Sequence, residues 1–201
     1  MKQVAMDEDL DPEYIRERIA EGKVVIPANH KRKATKICGI GAGLRTKVNA
    51  NIGTSADYPD VENEMEKLRA AEEAGADAVM DLSTGGDLRA IRKKIIGSAS
   101  IAVGSVPIYE AAVKTVQHKH AIVDMTATDM LEAIRLHCED GVDFITVHCG
   151  ATKGVLKHLK ESKRMCGVVS RGGTFLVEWM IHSGKENPLY EEYDEILAIA
   201  K

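Results

Sequence analysis

From Gly43 onward, short apolar runs ending in small polar residues alternate with longer amphipathic stretches. The runs are Lys47 to Gly53, Ala78 to Ser83, Ile101 to Tyr109, Phe144 to Gly150 and Gly167 to Gly172. Between them, Val61 to Ala74, Asp87 to Ile96, Thr126 to Cys138, Lys153 to Lys163 and Thr174 to Ser183 carry apolar residues at helical spacing. This rhythm predicts parallel strands joined by crossover helices. The strands are apolar on both faces, which suits an open doubly wound sheet or part of a barrel equally well.

Two joints repeat each other. Glu73-Ala74-Gly75-Ala76-Asp77-Ala78-Val79-Met80 is similar to Glu139-Asp140-Gly141-Val142-Asp143-Phe144-Ile145-Thr146. Each offers a glycine to end a helix in the left-handed region, then an aspartate, then a strand. A repeated strand–helix unit explains both. Residues 1–43 break the rhythm: a charged helix is expected from Asp11 to Glu21 with Pro12 in its first turn, then a short run Val24 to Pro27, then the basic stretch Lys31 to Lys36. They read as an N-terminal extension, with residues 44–201 forming the domain proper. The Gly-rich Gly39 to Gly43 precedes the first strand, so it is not a dinucleotide fingerprint and reads as a lead-in loop. After Pro188, Leu189 to Lys201 has a helical pattern and no strand follows it. The expectation is a truncated chain, lacking about three of eight βα units if it is a barrel.

Composition narrows the partners. The chain has 201 residues, 44% hydrophobic, and a net charge of −4, so no general field attracts nucleic acid or an anionic membrane, and any phosphate must be held locally. No signal peptide is expected from the first residues, and no apolar run approaches about 20 residues. Cys38, Cys138, Cys149 and Cys166 have no paired short spacing. The expectation is a cytoplasmic protein with reduced thiols.

Chemistry is expected where polar residues interrupt the ends of buried strands, because a polar group there is costly without a partner or ligand. Alternation puts Lys47, Asn49 and Asn51 on one face of the first strand, with Asn51 near its carboxyl end, able to meet a ligand or cap the next loop. Met80 packs in the core or against a flat ring. Ser83-Thr84-Gly85-Gly86 could present N–H groups to an anion, or serve only as a turn with Asp87 or Thr84 capping the next helix. Tyr109, after Pro107, offers an aromatic face and hydroxyl at the third strand's end, or packs in the core. His148 closes the fourth strand, placed for hydrogen bonding or proton transfer, or satisfied in the core. Ser170-Arg171-Gly172-Gly173 is the most phosphate-like element, although such loops are common in turns.

Taken in order, Val48 to Gly53, Val79 to Gly85, Val106 to Tyr109, His148 to Gly150 and Val168 to Gly173 resemble the phosphomethylpyrimidine synthase family, as do Ile26-Pro27-Ala28-Asn29 and Glu186-Asn187-Pro188-Leu189-Tyr190. The resemblance covers nearly the whole chain. It implies a partial (β/α)8 barrel, about the first five βα units, with Asn51, Met80, Tyr109, His148, Ser170, Arg171 and Gly172 contacting an aminoimidazole ribonucleotide and Ser170 to Gly172 nearest its phosphate. It also implies a radical rearrangement using a 4Fe-4S cluster, S-adenosylmethionine and zinc, and a homodimer for the full-length protein. The family's Cys-x-x-Cys-x-x-x-x-Cys segment, its metal-binding histidines and its Asp-Gly-Leu-Arg motif are absent from these residues, so no catalytic, cluster or metal ligand is assigned here and the chain alone is expected to be inactive. The paralogous 5-hydroxybenzimidazole synthase is similar in fold and chemistry. A non-catalytic barrel fragment is a further reading of the same residues. An aldolase-type barrel using Lys47 is disfavoured, because Lys47 begins its strand.

Overall fold

The computed structural model describes every residue except 33–35, the middle of the basic stretch, and 120. The elements are α1 (Lys2–Asp7), α2 (Pro12–Ala20), β1 (Val24–Val25), β2 (Ile40–Gly41), β3 (Asn49–Ile52), α3 (Val61–Glu73), β4 (Ala78–Asp81), α4 (Leu88–Ser98), β5 (Ala102–Ser105), α5 (Pro107–Lys119), a 3-10 turn (Ile122–Asp124), α6 (Ala127–Asp140), β6 (Phe144–Ile145), α7 (Lys153–Glu161), α8 (Arg171–Ser183), α9 (Pro188–Glu191) and α10 (Tyr193–Ala200). β1 and β2 form a small antiparallel ribbon, and the main sheet has the order β3-β4-β5-β6, with β3, β4 and β5 parallel. The chain is therefore α/β with a parallel sheet and crossover helices. It divides into two compact units, one comprising Met1–Ser105 with Asp140–Phe144, the other Val106–Glu139 with Ile145–Lys201.

In the first unit, capping aspartates start the helices where the sequence places them. Asp11, Asp60 and Asp87 accept hydrogen bonds from the N–H groups of Glu13 (2.7 Å), Asn63 (3.1 Å) and Ala90 (3.0 Å). Ile52, Met65, Leu68, Val79, Ile91, Ile95, Ile101 and Val103 make one buried cluster between the sheet and α3 and α4, each large side chain stabilising by about 1.5–3 kcal/mol.

The repeated joints have the same hydrogen bonding. Gly75 and Gly141 adopt φ of +83° and +105°, conformations open to glycine. The N–H of Asp77 then donates to Val48 O (2.9 Å) while its carboxylate accepts from Val48 N–H (2.8 Å). Asp143 does likewise with Val103, at 2.7 and 2.8 Å. Each aspartate thus pins the start of its own strand to the start of the preceding one. Each is also met by an arginine: Arg45, shortly before β3, binds Asp77, and Arg32 of the N-terminal segment binds Asp143. Arg32 also donates to the carbonyls of Ile96, Ala99 and Ile101, and Asn29 binds both Asp143 Oδ1 and Val142 O. The N-terminal segment is therefore part of this unit's sheet foundation. Asp140 has no counterpart in the first joint; it accepts from Arg89 (2.8 Å) and Arg92 (2.7 Å) of α4. Burial pushes its carboxyl pKa up, but those hydrogen bonds and charges outweigh it and hold the group below the usual carboxylate range.

In the second unit, α5 and α6 are joined by a buried pair, Glu110 and His137, 2.9 Å apart. Trp179 Nε1 of α8 donates to Met125 O at the end of the 3-10 turn (2.6 Å), and Met130, Ile134, Leu176 and Met180 of this unit are buried.

Four sequence expectations are corrected. The run Ile101 to Tyr109 is a strand only to Ser105: Pro107, with φ preset and no N–H to lose, opens α5, a helix the periodicity did not reveal. Phe144 to Gly150 is a strand for two residues, because β5, next in the sheet order, stops at Ser105. Gly167 to Gly172 is not a strand; the Ser170 side chain caps Gly173 N–H and starts α8 three residues early. The terminal helix is broken at Glu192 into α9 and α10.

The two arginine–aspartate pairs differ in solvent. The Arg32 and Asp143 side chains are 6% and 1% exposed, whereas Arg45 is 53% exposed. Asp143→Asn leaves a buried cation uncompensated and is expected to cost about 3–5 kcal/mol. Asp77→Asn is expected to cost about 1 kcal/mol. Urea denaturation measures both, and equal losses would contradict the assignment.

Candidate functional site

The sequence-predicted site residues fall in both units, two in the first and five in the second. In the first, Asn51 of β3 and Met80 of β4 are register partners. Asn51 is exposed and accepts from Asn49 Nδ2 (3.1 Å), and Met80 is half-buried. The loops beyond these strands are bonded to each other. Asp81 accepts from the N–H (2.9 Å) and hydroxyl (2.5 Å) of Ser83, Ser83 Oγ accepts from Thr54 N–H (3.1 Å), and Thr84 N–H donates to Thr54 O (2.8 Å). The N–H groups of Ser83 and Thr84 are thus engaged, and Asp87 caps α4. Lys47 is also engaged: its Nζ is 2.6 Å from Glu8 and donates to Arg45 O at 2.7 Å.

In the second unit, five of the predicted residues lie together. His148 lies in the loop beyond β6, and its Nε2 shares a hydrogen bond of 2.9 Å with Ser170 Oγ. Gly172 supports the ring: a Cβ there would overlap His148 Cε1, so any other residue would displace the imidazole. Ser170 is the N-cap of α8, and Arg171 and Gly172 are its first two residues. The cap satisfies Gly173 N–H, while helix geometry gives the N–H groups of Arg171 and Gly172 no partner within the helix. The Arg171 guanidinium lies 5.1 Å from the Tyr109 ring centroid, and Phe175 meets that ring edge-on at 6.2 Å. Tyr109 therefore reaches the group from the first turn of α5 and not from a strand end.

Burial alone lowers the His148 pKa below its ordinary value. The ring is neutral at neutral pH, and its Nδ1 is buried without a hydrogen-bond partner among the described residues. A neutral imidazole, a serine hydroxyl, a guanidinium and a helix N-terminus form a set suited to an anionic, hydrogen-bonding small molecule.

One residue close to this group was missed. Asn187 is fully buried, and its Nδ2 donates to His148 O at 2.9 Å. Its place before Pro188 signalled a helix cap but nothing about His148, 39 residues earlier.

The model for the radical SAM ThiC family matches residues 1–201. The chain belongs to that family. It is 54% identical over 199 residues to the phosphomethylpyrimidine synthase of Desulforamulus reducens, covering 99% of this chain and 46% of the relative. The phosphomethylpyrimidine synthase of Moorella thermoacetica is 52% identical over 201 residues, covering 100% and 46%. The 5-hydroxybenzimidazole synthase BzaB of the same organism is 50% identical over 199 residues, covering 99% and 47%. The chain thus spans about half the length of the curated relatives it matches.

Radical SAM families use S-adenosylmethionine on an iron–sulfur cluster, which needs closely spaced thiolates. The residues present do not fit it. Among the described residues no three His, Cys, Asp or Glu groups are placed to hold a metal, and burial pushes the thiols of Cys38, Cys138 and Cys149 up in pKa, away from thiolate. No described helix is long and apolar enough to cross a membrane.

With the folded pKa of His148 depressed, the unfolded chain binds more protons below about pH 6.5. Stability is therefore expected to fall as pH drops from about 6.5 toward the folded value, and to be unaffected by this group above it. Gly172→Ala is expected to leave stability nearly unchanged but to displace the ring, moving the His148 imidazole titration, followed by NMR, up toward about 6.5. An unmoved titration would mean that Gly172 does not set the ring's position.

Proposed function

We propose that these residues form the first part of a (β/α)8 barrel in a cytoplasmic, homodimeric phosphomethylpyrimidine synthase, which rearranges 5-aminoimidazole ribonucleotide to 4-amino-5-hydroxymethyl-2-methylpyrimidine phosphate for thiamine. The observation that carries the reading is the grouping of Tyr109, His148, Ser170, Arg171 and Gly172 at the N-terminus of α8, in a chain whose every residue falls within the family match. The Arg171 fork and the first two N–H groups of α8 bind the substrate phosphate. His148, kept neutral, hydrogen-bonds the substrate and does not add a second cation. Tyr109 supplies an aromatic wall, and Asn51 and Met80 are substrate contacts on the family resemblance alone. With a net charge of −4, a bound phosphate has to be held by such local groups.

A cluster with S-adenosylmethionine would supply the radical in the full-length protein, and its thiolates, like the zinc ligands, would come from outside these residues. Sharing 50% identity with the BzaB enzyme favours one second reading, 5-hydroxybenzimidazole synthesis from the same ribonucleotide; product analysis of the full-length protein separates the two.

In the full-length protein, Arg171→Ala is expected to weaken ribonucleotide binding by roughly 10- to 100-fold, the equivalent of about 1.5–3 kcal/mol for a charge-assisted hydrogen bond. Ser170→Ala adds a helix-capping loss of about 1 kcal/mol, visible in thermal melting. Calorimetric titration with unchanged affinity in a folded double variant would remove these residues from the site. The 201 residues alone, reconstituted with iron, sulfide and reductant, are expected to show no cleavage of S-adenosylmethionine; turnover would refute this.

A further inference from the structure

His148 lies beyond Ile145, the last residue of β6, so no strand ladder fixes the backbone that carries it. Two hydrogen bonds reach its carbonyl, one from Ala151 N–H (3.3 Å) and one from Asn187 Nδ2 (2.9 Å). Asn187 is 0% exposed, and its other polar atoms are engaged as well. Oδ1 accepts from Leu189 N–H (2.9 Å) and caps α9, and the carbonyl accepts from Tyr190 and Glu191. The backbone N–H donates to Glu186 Oε1 (2.8 Å), which also accepts from Lys153 N–H at the start of α7 (2.9 Å). Ser or Asp would cap α9 as well as Asn does. Only Asn, among good caps, has separate acceptor and donor atoms that can face two segments at once.

We infer that Asn187 is a positioning residue: its side-chain amide anchors the His148 backbone so that the imidazole stays between Gly172 and Ser170, where the substrate meets it. The benefit to binding rests on the function proposed above. Removing the anchor frees the His148 loop while α9 stays capped, so the loss appears at the imidazole and not in the helix.

Asn187→Ser in the full-length protein tests this, because serine keeps the cap but is too short to reach His148 O. The expected result is a folded protein whose His148 imidazole titration, read by NMR, moves up toward that of an ordinary histidine, with ribonucleotide affinity falling roughly tenfold. Asn187→Asp preserves volume and cap while facing the His148 carbonyl with an oxygen. Read by affinity alone, it serves if the serine variant does not fold. A lowered melting temperature with unchanged His148 titration and affinity would overturn the inference, leaving Asn187 a cap. His148→Gln separates the two claims: if it leaves ribonucleotide affinity unchanged, the proposed role of His148 fails, and the titration in Asn187→Ser alone then decides the anchor.

Discussion

The sheet of the first unit depends on a carboxylate at the start of a strand holding the backbone N–H at the start of its neighbour. Asp77 does this for β3 and β4, and Asp143 for β5 and the chain entering β6. Because side chains alternate along a strand, a slip of one residue would exchange buried and exposed faces. Fixing each strand at its amino end therefore fixes which residues stand at the carboxyl end, where Asn51 and Met80 pair. Arg32 of the N-terminal segment and Arg45, shortly before β3, neutralise these aspartates, so the N-terminal segment contributes through Arg32 to the energy of the sheet.

In the second unit the same economy is achieved with a helix end. One side chain, Ser170, caps α8 and hydrogen-bonds His148. One missing side chain, at Gly172, leaves room for the imidazole. The ring is half-buried there, which disfavours its charged form, and the Arg171 guanidinium rests on Tyr109. Arg171 and the helix dipole supply positive charge and the neutral imidazole does not, a division suited to binding an anion beside a hydrogen-bonding group.

The α/β class, the helices α2, α3, α4, α6 and α7 and the doubled Gly-x-Asp joint were legible because each rests on near neighbours: a cap two or three residues away, a glycine at a helix end, apolar side chains three or four apart. The family was legible from the order of five short segments. What periodicity concealed were the transitions. Val106-Pro107-Ile108-Tyr109 and Val168-Val169-Ser170 are as apolar as strands, yet Pro107 and Ser170 turn them into helix starts.

Read alone, then, the chain settles its class and its family and singles out Ser170 and Gly172 beside His148, since residue type and spacing are local properties. Tertiary structure decides that Tyr109 lies on a helix, that Gly172 is a seat for an imidazole, that Asn187 reaches across 39 residues to His148 and that Arg32 reaches across 111 to Asp143. Contacts of that kind depend on where the packed chain returns to itself, and no window of neighbouring residues contains that information.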